Sequence, residues 1–372
     1  MSASEVAQYS CPGCSADMVF EPHRGLLTCA YCGRTQALPQ ANTQLRQQTL
    51  HEHDFHAFAN ANQTRIVTLS TTAQEVKCPG CHANITFEPP DVADRCPFCG
   101  TSIVAQAQAA DPTIAPAGLI PFQVGRKVAL QVLRQWLTFR WDWRDWQAVF
   151  LPSQLQQLAQ REELSGVYLP FWTYDCHTIS HYRGERGTHY YVTRTNSKGE
   201  KERVRKTRWR SVSGHITVAF DDVLVAATET TNRKQLSRLW PKVAATDLQP
   251  YSPQYLAGFK AQRYQIPLKQ GFELAKEQMA PQIHSQIEQD IGGDEQRVHS
   301  VETHYSQETF KHILLPVWLL SYRYQSKIFQ VMINAQTGKV LGDRPLSTWK
   351  VALGVAIALL VGCTIIFAVM QN

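Results

Sequence analysis

The sequence predicts an α+β protein with two small four-cysteine zinc ribbons, a mostly antiparallel sheet domain carrying a helical insertion, and one C-terminal transmembrane helix. Three observations lead there. Eight of the ten cysteines fall in four C-x-x-C pairs, two L-P stretches open aromatic and β-branched runs, and residues 351–370 hold no charge.

The first cysteine quartet is Cys11, Cys14, Cys29 and Cys32, and the second is Cys78, Cys81, Cys96 and Cys99. Both read C-P-G-C-x14-C-x-x-C-G. A C-x-x-C turn points two sulfurs at one ion, and two such turns supply the closed tetrahedral four-sulfur shell of structural Zn2+. The spacing therefore predicts two structural zinc ions, one in residues 1–38 and one in residues 75–105. Over Cys11–Gly33 and Cys78–Gly100, 11 of 23 positions are identical, including Phe20–Pro22 and Phe87–Pro89, so the two units are an internal repeat. Gly33 and Gly100 close the knuckles, where positive φ is cheap only for glycine. Units this small depend on the metal for folding. Paired thiolates without a signal-peptide h-region point to a reducing, cytoplasmic compartment.

Residues 39–74 and 106–121 read as linkers, the first rich in Gln and Asn and the second in Ala, Gln and Pro. His51-Glu52-His53-Asp54-Phe55-His56 lies in the first. It reads as a solvated stretch in preference to a third metal site.

Residues 122–345 form the predicted α+β domain. Val128, Val132, Leu133 and Trp136 have helical spacing over Gly125–Leu137, followed by the cluster Trp141, Trp143 and Trp146, read as a hydrophobic cap. Leu169-Pro170-Phe171-Trp172 and Leu315-Pro316-Val317-Trp318 each open a strand. His215–Ala226 reads as another strand, Gln235–Trp240 as a short helix and Gln270–Gln289 as a long one. Lys327–Asn334 and Val340–Leu341 read as strands joined by a turn that Gly338 closes. Cys176, between Asp175 and His177, reads as a packed strand residue, because neighbours on a strand point to opposite faces.

The net charge of +6 is uneven. Residues 1–110 carry 6 Lys/Arg against 9 Asp/Glu, whereas residues 183–210 carry 10 against 3. The segment 182–210 reads as a basic hairpin turning at Ser197–Glu200. Its candidate anion-binding residues are Arg194, Lys198, Lys201, Arg203, Arg205, Lys206, Arg208 and Arg210, facing anionic lipid or nucleic acid.

Val351–Met370 is long enough to cross about 30 Å of hydrocarbon as a helix. Arg344, Trp349 and Lys350 precede it as interfacial anchors, placing the N-terminal bulk on the cytoplasmic side. Gly354, Ala358 and Gly362 form a small-residue ridge suited to helix packing and oligomerisation in the bilayer. The chain thus reads as tail-anchored and single-pass.

No phosphate loop, dinucleotide fingerprint, H-E-x-x-H or G-x-S-x-G motif is present in the sequence, so nothing points to an enzyme. The ribbons, the Gly166–Trp172 phrase G-V-Y-L-P-F-W and the terminal span together resemble bacterial membrane-anchored proteins with TFIIB-type zinc ribbons. Such proteins are often filed as primosomal protein N-prime or replication-restart helicase. The resemblance implies a scaffold or adaptor that recruits protein partners to the inner membrane in envelope stress. The competing expectation is a zinc-ribbon nucleic-acid-binding protein, replication-associated, without a helicase motor.

Overall fold

The computed structural model describes residues 9–38, 50–59, 74–78, 80–81, 83–87, 93–99, 101–104, 114–137, 164–195, 201–324, 327–343, 350, 352–354, 356 and 359–364. The first ribbon is a three-stranded sheet of β1 (Met18–Glu21), β2 (Leu26–Cys29) and β3 (Thr35–Ala37). A segment holding β4 (His53–Asp54) and helix α1 (Phe55–Ala59) follows. The second ribbon is two hairpins, β5 (Gln74–Lys77) with β6 (Asn84–Phe87), and β7 (Ala93–Arg95) with β8 (Ser102–Val104). After β9 (Gly118–Leu119) and α2 (Arg126–Leu137) come two very long strands, β10 (Ser165–Thr195) and β11 (Lys201–Ala226). The helical insertion holds α3 (Arg233–Leu239), β12 (Gln249–Pro250), β13 (Lys260–Ala261) and α4 (Leu268–Ile291). The chain then runs through β14 (Glu295–Tyr324), β15 (Lys327–Asn334) and β16 (Val340–Gly342).

The main sheet has the order β11-β10-β14-β15-β16, and every neighbouring pair along this path is antiparallel. The two L-P repeats lie side by side in it. Leu169 faces Leu315, Tyr168 faces Pro316 and Gly166 faces Trp318. Both indoles are satisfied, Trp172 Nε1 donating to the Ile266 carbonyl at 2.9 Å and Trp318 Nε1 to Val124 at 2.7 Å.

Past this base the three long strands continue as a blade. From Cys176 to Tyr182 even-numbered β10 residues are buried and odd-numbered ones exposed, the signature of a sheet covered on one face only. The cover is α4. Phe272, Ala275, Met279, Ile283, Ile287 and Ile291 recur at three- and four-residue spacing and are all buried against it. Gly271 sits where a Cβ would meet Tyr174 Oη at 2.3 Å, so only glycine lets the helix approach so closely. Tyr174 Oη donates to the Leu268 carbonyl at 2.7 Å, and Tyr182 Oη donates to Asp290. Gly292, at φ 63°, ends the helix. Cys176 packs under α4 with its sulfur 3.7 Å from Met279 Sδ, and burial pushes its thiol up to about 11.

Several expectations change. Within the first predicted linker, residues 50–59 are part of the core: β4 pairs with β14 and Phe55 is buried on Phe272 and Tyr174. Polar letters concealed an edge strand whose Glu52 and Phe55 reach opposite faces of the sheet. Within the second, Ala117, Leu119 and Ile120 are buried, and β9 runs parallel to β14. Val128, expected on the apolar face of α2, is exposed, while Ala129 and Leu133 are buried. The basic segment pairs as the antiparallel hairpin expected, and it continues β10 and β11 without a break from the base. Trp141, Trp143, Trp146 and residues 39–49, 60–73 and 105–113 lie outside the described residues.

So do residues 351, 355, 357–358 and 365–370 of the expected span. The remaining ones, 352–354, 356 and 359–364, are helical. Among the described residues no helix is long and apolar enough to cross a membrane. Leu353, Leu359, Leu360 and Val361 are exposed, as is the space beside Gly362, which has no neighbour within 4 Å of a Cβ position.

Candidate functional site

Each cysteine quartet closes into a cluster whose four sulfurs lie within 4.8 Å of one another. Cys11 and Cys32 are 3.4 Å apart and Cys14 and Cys29 3.5 Å. In the second cluster Cys78 and Cys99 are 3.5 Å apart and Cys81 and Cys96 3.6 Å. Four sulfurs at about 2.3 Å from a tetrahedral ion stand roughly 3.8 Å from each other, so both clusters are the size a metal requires.

The knuckle backbones favour thiolates. The Gly13 amide donates to Cys11 Sγ at 3.4 Å, Cys32 to Cys29 Sγ at 3.5 Å and Gly80 to Cys78 Sγ at 3.3 Å. The Gly13 amide, with Cys32 beside it, brings Cys11 down to about 6 against the burial of the thiol. The Cys32 amide likewise lowers Cys29. In the second cluster Cys81 and burial push Cys96 upward, so a metal entering there must displace a proton. Gly33 has φ 73°, as a closing glycine should, and Gly100 lies outside the described residues.

Both ribbons are seated on the base of the sheet domain. In the first, Phe20 is buried edge-on against Tyr255 and Phe259, at centroid distances of 5.4 and 6.5 Å. Its amide donates to the Ala257 carbonyl at 3.1 Å. In the second, Phe98 between the last two cysteines is buried. The Ser321 hydroxyl donates to the Pro97 carbonyl at 2.8 Å and Gln330 Nε2 to the Phe98 carbonyl at 2.7 Å. Cys14 and Cys32 remain exposed, whereas Cys78, Cys96 and Cys99 are buried.

The basic residues gather at the other end. Pairing of β10 with β14 stops at Gly187 opposite Glu295, so beyond it β10 and β11 form a two-stranded ribbon. Register divides its charges between two faces. Lys201, Arg203 and Arg205 oppose Thr195, Thr193 and Tyr191 on one face; Lys206, Arg208 and Arg210 oppose Tyr190, Thr188 and Arg186 on the other, which Arg194 shares. Arg203 lies over the Tyr191 ring at 5.0 Å and Arg208 over Tyr190 at 5.1 Å. Lys198 lies outside the described residues.

A third cluster escaped sequence reasoning. Lys311 Nζ lies 3.1 Å from Glu52 Oε1 and 2.9 Å from Asp222 Oδ1. Thr309 Oγ1 lies 2.8 Å from Glu52 Oε2 and 3.2 Å from Asp175 Oδ2. Asp222, at φ 51°, sits in a bulge whose amide donates to Asp175 Oδ1 at 2.5 Å. Burial and the Glu52 carboxylate push Asp175 up to about 7. Despite burial, hydrogen bonds from Asp175, Thr309 and Lys311 hold Glu52 down to about 2. One proton therefore serves the two carboxyls, and the lysine clamps residues 50–59 to the sheet. The only sequence signal was the alternation of Glu52, Asp54 and His56.

The chain has a relative of almost the same extent. The chain is similar to the uncharacterized protein YdjG of Bacillus subtilis (strain 168). The two are 27% identical over 352 residues, covering 93% of this chain and 92% of that protein. No family model and no solved structure matches the chain, so no zinc-ribbon or primosomal family is named by either.

Proposed function

We propose that this chain is a non-enzymatic adaptor, fixed to the cytoplasmic membrane by its C-terminal segment and carrying two structural Zn2+ ions. The ribbons brace the base of the sheet domain, and the blade presents a charged end to protein partners in the cytoplasm. The observation that carries this reading is the separation of the two ends. Gly342 pairs with Val331, and Val331 with Leu320, next to the Ser165–Leu319 pair that starts β10. Thr195 at the far end is 30 residues along the same strand, roughly 90–100 Å at about 3.3 Å per residue. The seven residue steps from Asp343 to Lys350 span at most about 25 Å.

The exposed Leu353, Leu359, Leu360 and Val361 support a lipid-facing terminal helix. With the tether at the base, the basic end points away from the bilayer unless the blade lies along it. A photocrosslinking amino acid at Tyr191 in the membrane-bound chain tests the reading. Adducts with a defined protein partner, lost on Arg203→Glu/Arg205→Glu substitution, are expected. Adducts with phospholipid alone overturn it.

One observation favours a second reading, nucleic-acid binding. A flat bilayer engages one face of a ribbon, whereas these charges occupy both. A two-stranded ribbon entering the roughly 12 Å major groove meets phosphates on both sides. Submicromolar binding of duplex DNA with a salt slope near one unit per phosphate contacted would establish it.

A further inference from the structure

The face of the blade opposite α4 brings together histidines from three strands. His181 on β10 lies directly across from His215 on β11, and Glu302 on β14 lies directly across from His181 on the other side. His304 is two residues along, the next position on the same face, opposite Ile179. The His181 and His215 rings are 5.7 Å apart between centroids, and those of His181 and His304 6.4 Å. His304 Nε2 lies 3.7 Å from Glu302 Oε1.

We propose that His181, His215, His304 and Glu302 form a third metal site, separate from the four-cysteine centres, for a divalent transition ion that prefers imidazole. Two imidazoles sharing one tetrahedral ion at about 2.0–2.1 Å have ring centroids roughly 5 Å apart. The observed spacings exceed that by about an ångström or so, which rotation of exposed side chains removes. The backbones need not move. All three strands are hydrogen-bonded in continuous register between His177 and Arg183, about 4.8 Å from strand to strand.

Donor chemistry sets the class of ion. Imidazole nitrogens with a single carboxylate suit Zn2+, Ni2+ or Cu2+ and discriminate against Mg2+ and Ca2+, which take oxygen shells. The neighbouring positions on this face, Ile179, Ser213, Thr217 and Ser300, carry no charge, and Arg183 flanks one end. A site on an open sheet keeps coordination positions for water or for a donor brought by a partner. The closed thiolate shells leave none.

The test uses the full-length chain in detergent, without a histidine tag and with zinc already saturating the four-cysteine centres. Titration with Ni2+ at about pH 7.5, followed calorimetrically and by metal analysis after desalting, should show one further equivalent. His181→Gln should weaken it at least tenfold, and His181→Gln/His215→Gln should remove it. His299→Gln, an exposed histidine beside Glu185, should leave it unchanged. Absence of a further equivalent, or binding that survives the double substitution, overturns the proposal. Unchanged thermal unfolding of the variants confirms that they fold.

Discussion

The Lys311 ammonium lies 3.1 Å from the Glu52 carboxylate, joining strand β14 to a segment more than 250 residues earlier in the chain. With Asp222 at 2.9 Å on its other side, Lys311 is the centre of the clamp on residues 50–59. Its side chain is 10% exposed, so removing it strands two carboxylates in poorly hydrated surroundings. Lys311→Met should cost about 1–3 kcal/mol, discounted from the fully buried case because Glu52 is partly exposed. Hydrogen exchange should accelerate at residues 53–59 with little change at residues 18–29. Equal acceleration across both regions would contradict a local clamp.

The same cluster predicts a pH dependence. Asp175 titrates at about 7 in the folded chain against an ordinary 3.8, so its stabilising contribution is complete below about 4 and disappears as pH rises through 7. His312 acts in the opposite direction. Full burial, against a 2.8 Å hydrogen bond between Nδ1 and the Ile114 carbonyl, lowers it from 6.5 to about 4. Its contribution is complete above 6.5 and is lost as pH falls through 4. Urea midpoints measured from about pH 4 to 9 should therefore stay nearly level up to about 6.5, where the two slopes offset each other, and Asp175→Asn should expose a rise over that window. Profiles that coincide below pH 7 with and without that substitution would show that Asp175 ionises normally.

How much of this was legible follows from the range of each signal. The cysteine quartets announce themselves because C-x-x-C is local and the repeat includes Phe20 and Phe87 as well as the ligands. The strands at Leu169 and Leu315 and the long α4 helix were readable from local pattern too. Their lengths were not. β10 continues for 31 residues through Arg183, Arg186 and Arg194, where the polar letters of an open sheet face resemble a loop. The docking of residues 50–59 depends on Lys311 and Phe272, partners too distant in sequence for any local pattern to reveal. The ribbons read as independent units, yet Ser321 and Gln330 tie one to the base and Ala257 the other.

That docking separates the two four-cysteine clusters experimentally. Metal analysis of the purified chain should give two zinc ions, and Cys29→Ser or Cys96→Ser should each leave one. Cys29→Ser should lower stability modestly, because its cluster has two exposed ligands. Cys96→Ser should cost more, because buried Phe98 and the hydrogen bonds that Ser321 and Gln330 donate to the Pro97 and Phe98 carbonyls belong to the sheet base. Equal losses would mean that both ribbons contribute alike to the base.

Removal of residues 351–372 tests the tether. The truncated chain should leave the carbonate-resistant membrane fraction and become soluble while keeping both zinc ions. Retention in that fraction would move the anchor to another part of the chain.

The height of the blade end above the bilayer is the most direct test of the two-ended adaptor. A donor dye on Lys201→Cys, in a chain with Cys363→Ser, is placed in vesicles carrying acceptor dyes on their lipid headgroups. A second chain carries the donor at Asp343→Cys, near the tether. Strong energy transfer is expected from position 343 and almost none from position 201, since roughly 90–100 Å of strand separates the two ends. Comparable transfer from both positions would lay the blade on the membrane and contradict the two-ended adaptor.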